Sequence, residues 1–512
     1  MKGKWLKRLI LSVLTIVAIV TIVQSLGESF SKPQFQTRLE LYQTDLILHA
    51  AEYKLEDSDD VSSSLQAAIG DNPYYSAEEQ YQNALQAAQI NLTNLQTQLQ
   101  QLPLSSNIVE QQAQLEREIQ QEENFIDELN LKIGILEVEQ GNIETAQTTW
   151  NQLIESNQQP TTQTVISQTA RVLQDLWSES PTLSEDSRYS IVANNLEGWF
   201  RYYALKQLNG LQANESELLT LEATEQEIAS QAIFKLALIA GVPYLSGALG
   251  VILLIFLLIQ LLLQKERSIL AINNNFSWET PWDGETVWQV IIIGFFSVSQ
   301  IVIPILIGIS GVNPSGFSLR FKALYVLVTY LLMAAGGLLV LYFSIKPFFP
   351  LPKDWFKFQW LSNWIFWGLG GYLVAVPLVV LVSIINQQFW QGQGGSNPLL
   401  FLAVQAQDKV ALAIFFVTAS IAAPVFEEII FRGFLLSSLT RYIPVWSAIL
   451  ASSLLFAIAH LSLSEVAPLT TLGIILGFVY TRSRNLLSSM LLHSLWNGGT
   501  LFSLFILGSG AG

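Results

Sequence analysis

Three short stretches near the C-terminus carry side chains suited to acid–base chemistry. In APVFEEIIFRGFLL, Glu427 and Glu428 are adjacent and Arg432 follows. In LLFAIAHLS, Phe456 and His460 are four apart, and in MLLHSLWNGG the same spacing separates His493 from Asn497. Residues four apart on a helix share a face, so Glu428 can pair with Arg432. Glu427 points about 100° away from its neighbour and stays free for chemistry. A positioned carboxylate withdrawn from water is an effective general base. Donors in a dry site stabilise developing charge strongly.

These groups sit in apolar surroundings, and that makes them informative. An ionisable side chain inside a bilayer costs about 2.5–3.5 kcal/mol on insertion scales. The chain has three histidines; His460 and His493 lie in this region, and His49 lies elsewhere without a partner pattern. A lone buried histidine or a lone Glu–Arg pair would read as structural. Two carboxylates, two imidazoles and an amide gathered between Glu427 and Asn497 read as a functional site.

The elements that position them are membrane helices. The 512 residues are 51% hydrophobic and 13% charged, with a mean hydropathy of +0.38, against about 25% charged in ordinary soluble domains. Apolar runs place spans at 9–26, 237–263, 287–311, 323–345, 360–386, 409–426, 444–461, 467–481 and 485–508. The expected fold is an all-α transmembrane bundle of about nine spans, with a helical soluble domain after the first. The domains expected are an anchor at 1–26, an acidic helical segment at 27–230, further spans at 231–408 and a core at 409–508. The basic head MKGKWLK places the N-terminus in the cytoplasm and residues 27–230 outside it. Alternation then puts Lys265, Arg267, Lys346, Lys353, Lys357, Arg432, Arg441, Arg482 and Arg484 on the cytoplasmic side; Arg320, Lys322 and Lys409 dissent. Straight helices would set Glu427 about 21 Å from Arg441 but His493 about 13 Å from Arg484, at different depths. Pro424 and Gly433 could break or tilt the first helix.

Charge is unevenly spread. Residues 27–230 hold 32 of the 41 acidic residues and 9 of the 26 basic ones. Such a segment repels phosphate, which argues against nucleic acid as a partner. Its apolar residues recur at spacings of three and four, as amphipathic helices require. The stretches at 57–64 and 155–163 read as loops. One stretch, LKIGILEVEQGNIETAQTTWNQLIESNQQP, resembles a tetratricopeptide unit, with Gly134, Gly141, Ile143, Ala146 and Trp150 at packing positions. Residues 189–208 form a weaker second candidate, and a plain helical bundle fits as well. With no cysteine, thiol nucleophiles, disulfides and cysteine–metal sites are excluded.

The order E-E-x-x-x-R, F-x-x-x-H, H-x-x-x-N resembles the CPBP family, also called the abortive-infection or type II CAAX-protease-like family. The resemblance covers about residues 409–508. That family includes endopeptidases that trim prenylated CAAX tails, and bacteriocin self-immunity proteins. The resemblance implies that Glu427 activates water with His460 assisting. It implies that His493 and Asn497 orient water or stabilise the oxyanion, and that Glu428, Arg432 and Phe456 support the site. Glu427, His460 and His493 could also hold zinc with an open water position; a metal-free glutamate mechanism uses the same residues. The implied substrate is a membrane-embedded or lipid-anchored peptide, in contact with the bilayer, with residues 27–230 available to a protein partner.

Rival readings fit less well. No H-E-x-x-H is present. GISG at 308–311 resembles a rhomboid G-x-S-G but leaves Glu427 unexplained. A proton-coupled carrier would favour inverted repeats, which are not evident. A non-catalytic scaffold or immunity-type protein with a partner-binding helical domain is the alternative.

Overall fold

The computed structural model describes residues 2–30, 32, 34, 36–54, 69–102, 109–156, 165–181, 187–273, 276–312, 314–390, 392–396 and 408–508. Every regular element among them is helical. The loop expected at 57–64 lies outside the described residues, as do residues 157–163 of the loop expected at 155–163. In chain order the helices are α1 (Lys2–Phe30), α2 (Gln36–Ala51), α3 (Pro73–Gln101), α4 (Val109–Glu139), α5 (Ile143–Ser156), α6 (Val165–Leu176), α7 (Ser187–Asn195), α8 (Gly198–Leu211) and α9 (Glu215–Gln264). They continue with α10 (Gly284–Ser310), α11 (Leu319–Ile345), α12 (Trp364–Trp390), α13 (Lys409–Leu439), α14 (Val445–Ile458), α15 (Val466–Ser483) and α16 (Leu486–Gly508). The chain divides into two compact units, one of Met1–Lys32 with Pro243–Phe505, the other of Pro33–Val242 with Ile506–Gly512.

The second unit, which carries most of the segment expected to be soluble and is called the soluble unit for that expectation, has its own aromatic core. Trp150 is fully buried, and Trp177, Tyr203 and Trp199 continue from it as a chain of ring contacts. Gly134 permits this: a Cβ there would lie 2.4 Å from the Trp150 indole nitrogen. Gly141 turns α4 into α5 at φ +83°, a conformation glycine adopts without strain. Ala146 is buried at the same interface, but Ile143, expected to pack, is 44% exposed.

His49 does have a partner. Its Nδ1 lies 2.6 Å from Glu225 Oε1, and its Nε2 lies 3.8 Å from Asp45. Burial alone would lower its pKa; the Glu225 hydrogen bond and the charges of Asp45, Glu225 and Glu52 outweigh it and hold the imidazole above its ordinary value. Burial, with nearby Glu78, pushes the Glu137 carboxyl up to about 7.

The membrane unit is built from long apolar helices. Among the described residues, eight are long and apolar enough to cross a bilayer: α1, α9 to α13, α15 and α16. The protein is an integral multi-pass membrane protein. Several expected boundaries move. The span expected at 409–426 runs on to Leu439, so Glu427, Glu428 and Arg432 all lie inside one helix. Arg432 is therefore no loop cation; it is buried at 0% exposure. The span expected at 444–461 is the 14-residue α14, which stops before His460.

α13 does not break at Pro424. It widens into π-helical turns at Thr418–Ala422 and Glu428–Leu436. Proline lacks an N–H and crowds the carbonyl four residues earlier, and a wider turn relieves both. The buried face of α13 (Phe426, Ile430, Phe431 and Phe434) packs in the main apolar cluster of this unit, with Trp282 and Trp355.

His49 and Glu137 both bind protons more tightly folded than unfolded. Their stabilisation is complete below the unfolded pKa values and is lost as pH rises through the folded ones. The soluble unit of the intact protein is expected to melt at progressively lower temperature as pH rises from about 5 through about 7. Thermal proteolysis checks this, with His49→Gln and Glu137→Gln flattening the dependence. A melting point that rises over that range would contradict the assignment.

Candidate active site

α13 presents its two adjacent carboxylates to different partners. Glu428 is fully buried, and its Oε1 accepts from Arg432 Nη1 at 2.8 Å, one turn along the helix. The same oxygen lies 2.9 Å from His493 Nδ1 on α16. A carboxylate can only accept here, so Nδ1 carries the hydrogen and a neutral His493 has an acceptor at Nε2. Nε2 lies 3.9 Å from Glu427 Oε2. Glu427 is 15% exposed where Glu428 is at 0%, so one carboxylate is sealed and the other is reachable. The sequence spacing implies this division, and the side chains meet despite the depths that straight helices imply. The π-helical turns of α13 advance less per residue than α-helical ones. Arg441, beyond its end, folds back onto the carbonyls of Thr280 and Trp282.

A phenylalanine joins the three stretches. The Phe456 ring meets His460 at 4.9 Å and His493 at 5.6 Å, both edge to face, and Arg432 lies over it at 4.4 Å. His460 occupies the turn after α14 rather than the helix itself, where its Nδ1 lies 2.8 Å from the Phe456 carbonyl and donates to it. Asn497 donates from Nδ2 to the Ala419 carbonyl of α13 at 2.8 Å, which ties α16 to the first π-helical turn. Arg432 also reaches the Gly473 carbonyl of α15 at 3.4 Å, where a Cβ on Gly473 would lie 2.7 Å from Ser453 Cβ.

The three candidate zinc ligands are not gathered as ligands. Among the described residues no three His, Asp or Glu side chains are grouped so as to hold a metal ion. His493 directs Nδ1 to Glu428, and no contact joins His460 to Glu427. The donor set does not fit a three-ligand zinc centre, and the chemistry is derived without one.

Sequence reasoning missed Tyr330. Its hydroxyl donates to Glu427 Oε1 at 3.1 Å from α11, outside all three stretches. A tyrosine inside an apolar run carries a polar tip that needs a partner; that was the available signal. The turn bearing His460 is anchored by hydroxyls. Ser462 Oγ lies 3.1 Å from the Gly395 carbonyl, Ser464 N–H donates to the Gly394 carbonyl at 3.2 Å, and Leu463 N–H donates to Ser29 Oγ at 3.1 Å.

Residues 409–499 match the family described as type II CAAX prenyl endopeptidase Rce1-like. The membrane-embedded CAAX protease MroQ of Staphylococcus aureus strain USA300 is 28% identical over 193 residues, covering 36% of this chain and 76% of MroQ. UPF0177 protein YxdF of Lactococcus lactis subsp. lactis strain IL1403 is 31% identical over 159 residues, 28% of this chain and 82% of YxdF. The chain belongs to the CPBP family. YdiL of Bacillus subtilis strain 168, named as a membrane peptidase, is 28% identical over 134 residues, 26% of this chain and 53% of YdiL. No solved structure matches the chain. The CPBP match begins with α13 and ends within α16, so it includes Glu427, His460, His493 and Asn497 and leaves out Tyr330 and the soluble unit. Membership makes the protein one of a family of membrane endopeptidases.

Removing one partner of a buried ion pair strands the other charge. Arg432→Ala is expected to destabilise the membrane unit by about 3–5 kcal/mol. Glu427→Gln is expected to leave the melting temperature near that of the wild type. Differential scanning fluorimetry in detergent compares them, and equal losses would contradict the division between the two carboxylates.

Proposed function

We propose that the chain is a glutamate-dependent intramembrane endopeptidase in which Glu427 is the general base. The observation that carries this reading is the pairing of adjacent carboxylates with opposite surroundings. Glu428 is consumed by Arg432 and His493, while Glu427 stays reachable and stands 3.9 Å from an imidazole nitrogen. A water molecule can hydrogen-bond both Glu427 Oε2 and His493 Nε2 across that separation. Glu427 takes a proton from this water as the oxygen attacks the scissile carbonyl carbon. The carbonyl π bond breaks and leaves a tetrahedral oxyanion. Glu427 then returns the proton to the leaving amine as the C–N bond breaks, and a new carboxyl and a free amine result. Asn497 and His460 flank the site and orient water or support the oxyanion. Tyr330 holds Glu427 Oε1, so that Oε2 faces His493.

The substrate class follows from where the site lies: a peptide embedded in or anchored to the membrane, with lipidated CAAX-type tails suggested by the naming of MroQ. In this reading the N-terminus, with its basic head, lies in the cytoplasm and residues 27–230 lie outside it. The soluble unit, with its tetratricopeptide-like α4–α5 pair, presents a surface for a protein partner.

Cleavage of labelled membrane-anchored peptides by protein reconstituted in liposomes tests the reading. Glu427→Gln is expected to lower turnover about 10²–10⁴-fold. Tyr330→Phe, which removes one hydrogen bond, is expected to lower it by about tenfold or less. Wild-type turnover in Glu427→Gln would end the proposal.

A further inference from the structure

The membrane unit contains a second concavity that the proteolytic reading does not use. It is an apolar groove of about 400 Å³. Leu254 and Leu258 of α9, Phe366 and Trp367 of α12, Trp446 of α14 and Phe478 of α15 form its walls. None of its lining residues is charged. Gly370 contributes the open floor: a Cβ there would meet only Leu253, at 3.9 Å. Gly371, also in the lining, lets α12 approach α15 and α16 closely: a Cβ there would lie 2.6 Å from Val479 and 2.4 Å from Leu492.

One end of the groove is cationic. Arg482 follows Phe478 by one turn of α15, and its guanidinium carbon lies 5.8 Å from the centre of the Trp367 ring and 4.8 Å from that of Phe276. Its Nε and Nη1 are buried and make no hydrogen bond, and among the described residues no carboxylate pairs with it. Lys265 and Arg267 follow α9 directly and are exposed, with Glu266 between them. Ile269 and Leu270, just beyond, line the groove. Buried guanidinium donors without acceptors are costly, and a phosphate oxygen satisfies them with charge as well as geometry. The medium around these helices is lipid.

We infer that the groove binds an anionic phospholipid, with an acyl chain in the apolar trough and the phosphodiester on Arg482. The three cations against one carboxylate at the mouth select the headgroup charge. The trough selects only for a flexible apolar chain.

Native mass spectrometry of delipidated protein titrated with dioleoyl phosphatidylglycerol or dioleoyl phosphatidylcholine tests this. The Glu427→Gln variant serves as the background, so the result stands apart from proteolysis. Phosphatidylglycerol is expected to bind about tenfold more tightly than phosphatidylcholine, the value of one charge-assisted hydrogen bond. Arg482→Gln is expected to abolish that preference and Arg482→Lys to restore part of it. Gly370→Phe is expected to weaken both lipids. Equal binding of the two lipids, or an Arg482→Gln variant that keeps the preference, overturns the inference. So does displacement of phosphatidylglycerol by farnesol that is the same with and without Arg482, since that would assign the groove to a headgroup-free chain.

Discussion

Glu428 and Arg432 place opposite full charges where neither side chain reaches water, and the site depends on that pair. Isolated, either charge would be severely penalised. Together, one turn apart on α13, they neutralise one another, and His493 adds a second hydrogen bond to Glu428 from α16. The pair thereby fixes more than its own helix. It sets which nitrogen of His493 carries hydrogen, and so which nitrogen faces Glu427. The Gly473 carbonyl on the far side of Arg432 brings in α15, and the Phe456 ring beneath the guanidinium brings in α14. Four helices are registered against one guanidinium.

The π-helical character of α13 follows from the same demands. Pro424 rules out a regular α-helical bond just where Asn497 needs a carbonyl from Ala419. A turn widened around Thr418–Ala422 meets both requirements within an unbroken helix.

Much of this was legible in the sequence. The i, i+4 spacing of Glu428 and Arg432 implied their pairing and the independence of Glu427, because helical periodicity fixes the angle between neighbours. The apolar runs implied the membrane bundle. What failed was length and partnership. Arg432 was counted with the loop cations because positive-inside reasoning sees charge and not burial. His460 was expected within a helix because its spacing from Phe456 continues the pattern; a turn capped by the histidine's own bond to Phe456 has the same spacing. Tyr330 and Glu225 escaped because their partners lie 97 and 176 residues away, and no local period encodes such a contact. The zinc trio failed for a related reason: composition supplies ligands, but only the packing decides whether they converge.

The shortness of α14 has a consequence for how a hydrolase can work inside lipid. Fourteen residues cover about 21 Å, less than the roughly 30 Å of hydrocarbon in a bilayer, so the helix cannot reach from one face to the other. The turn that follows it carries His460 and is dressed with the hydroxyls of Ser462, Ser464 and Ser29 and the carbonyls of Gly394 and Gly395. Non-helical backbone at membrane depth persists where protein or water meets its polar groups. Here it is protein that meets them: Ser29, Ser462 and Ser464 are buried and their hydroxyls bond the Gly394 and Gly395 carbonyls, so the missing turns of α14 are replaced by a closed polar knot that holds His460 on irregular backbone.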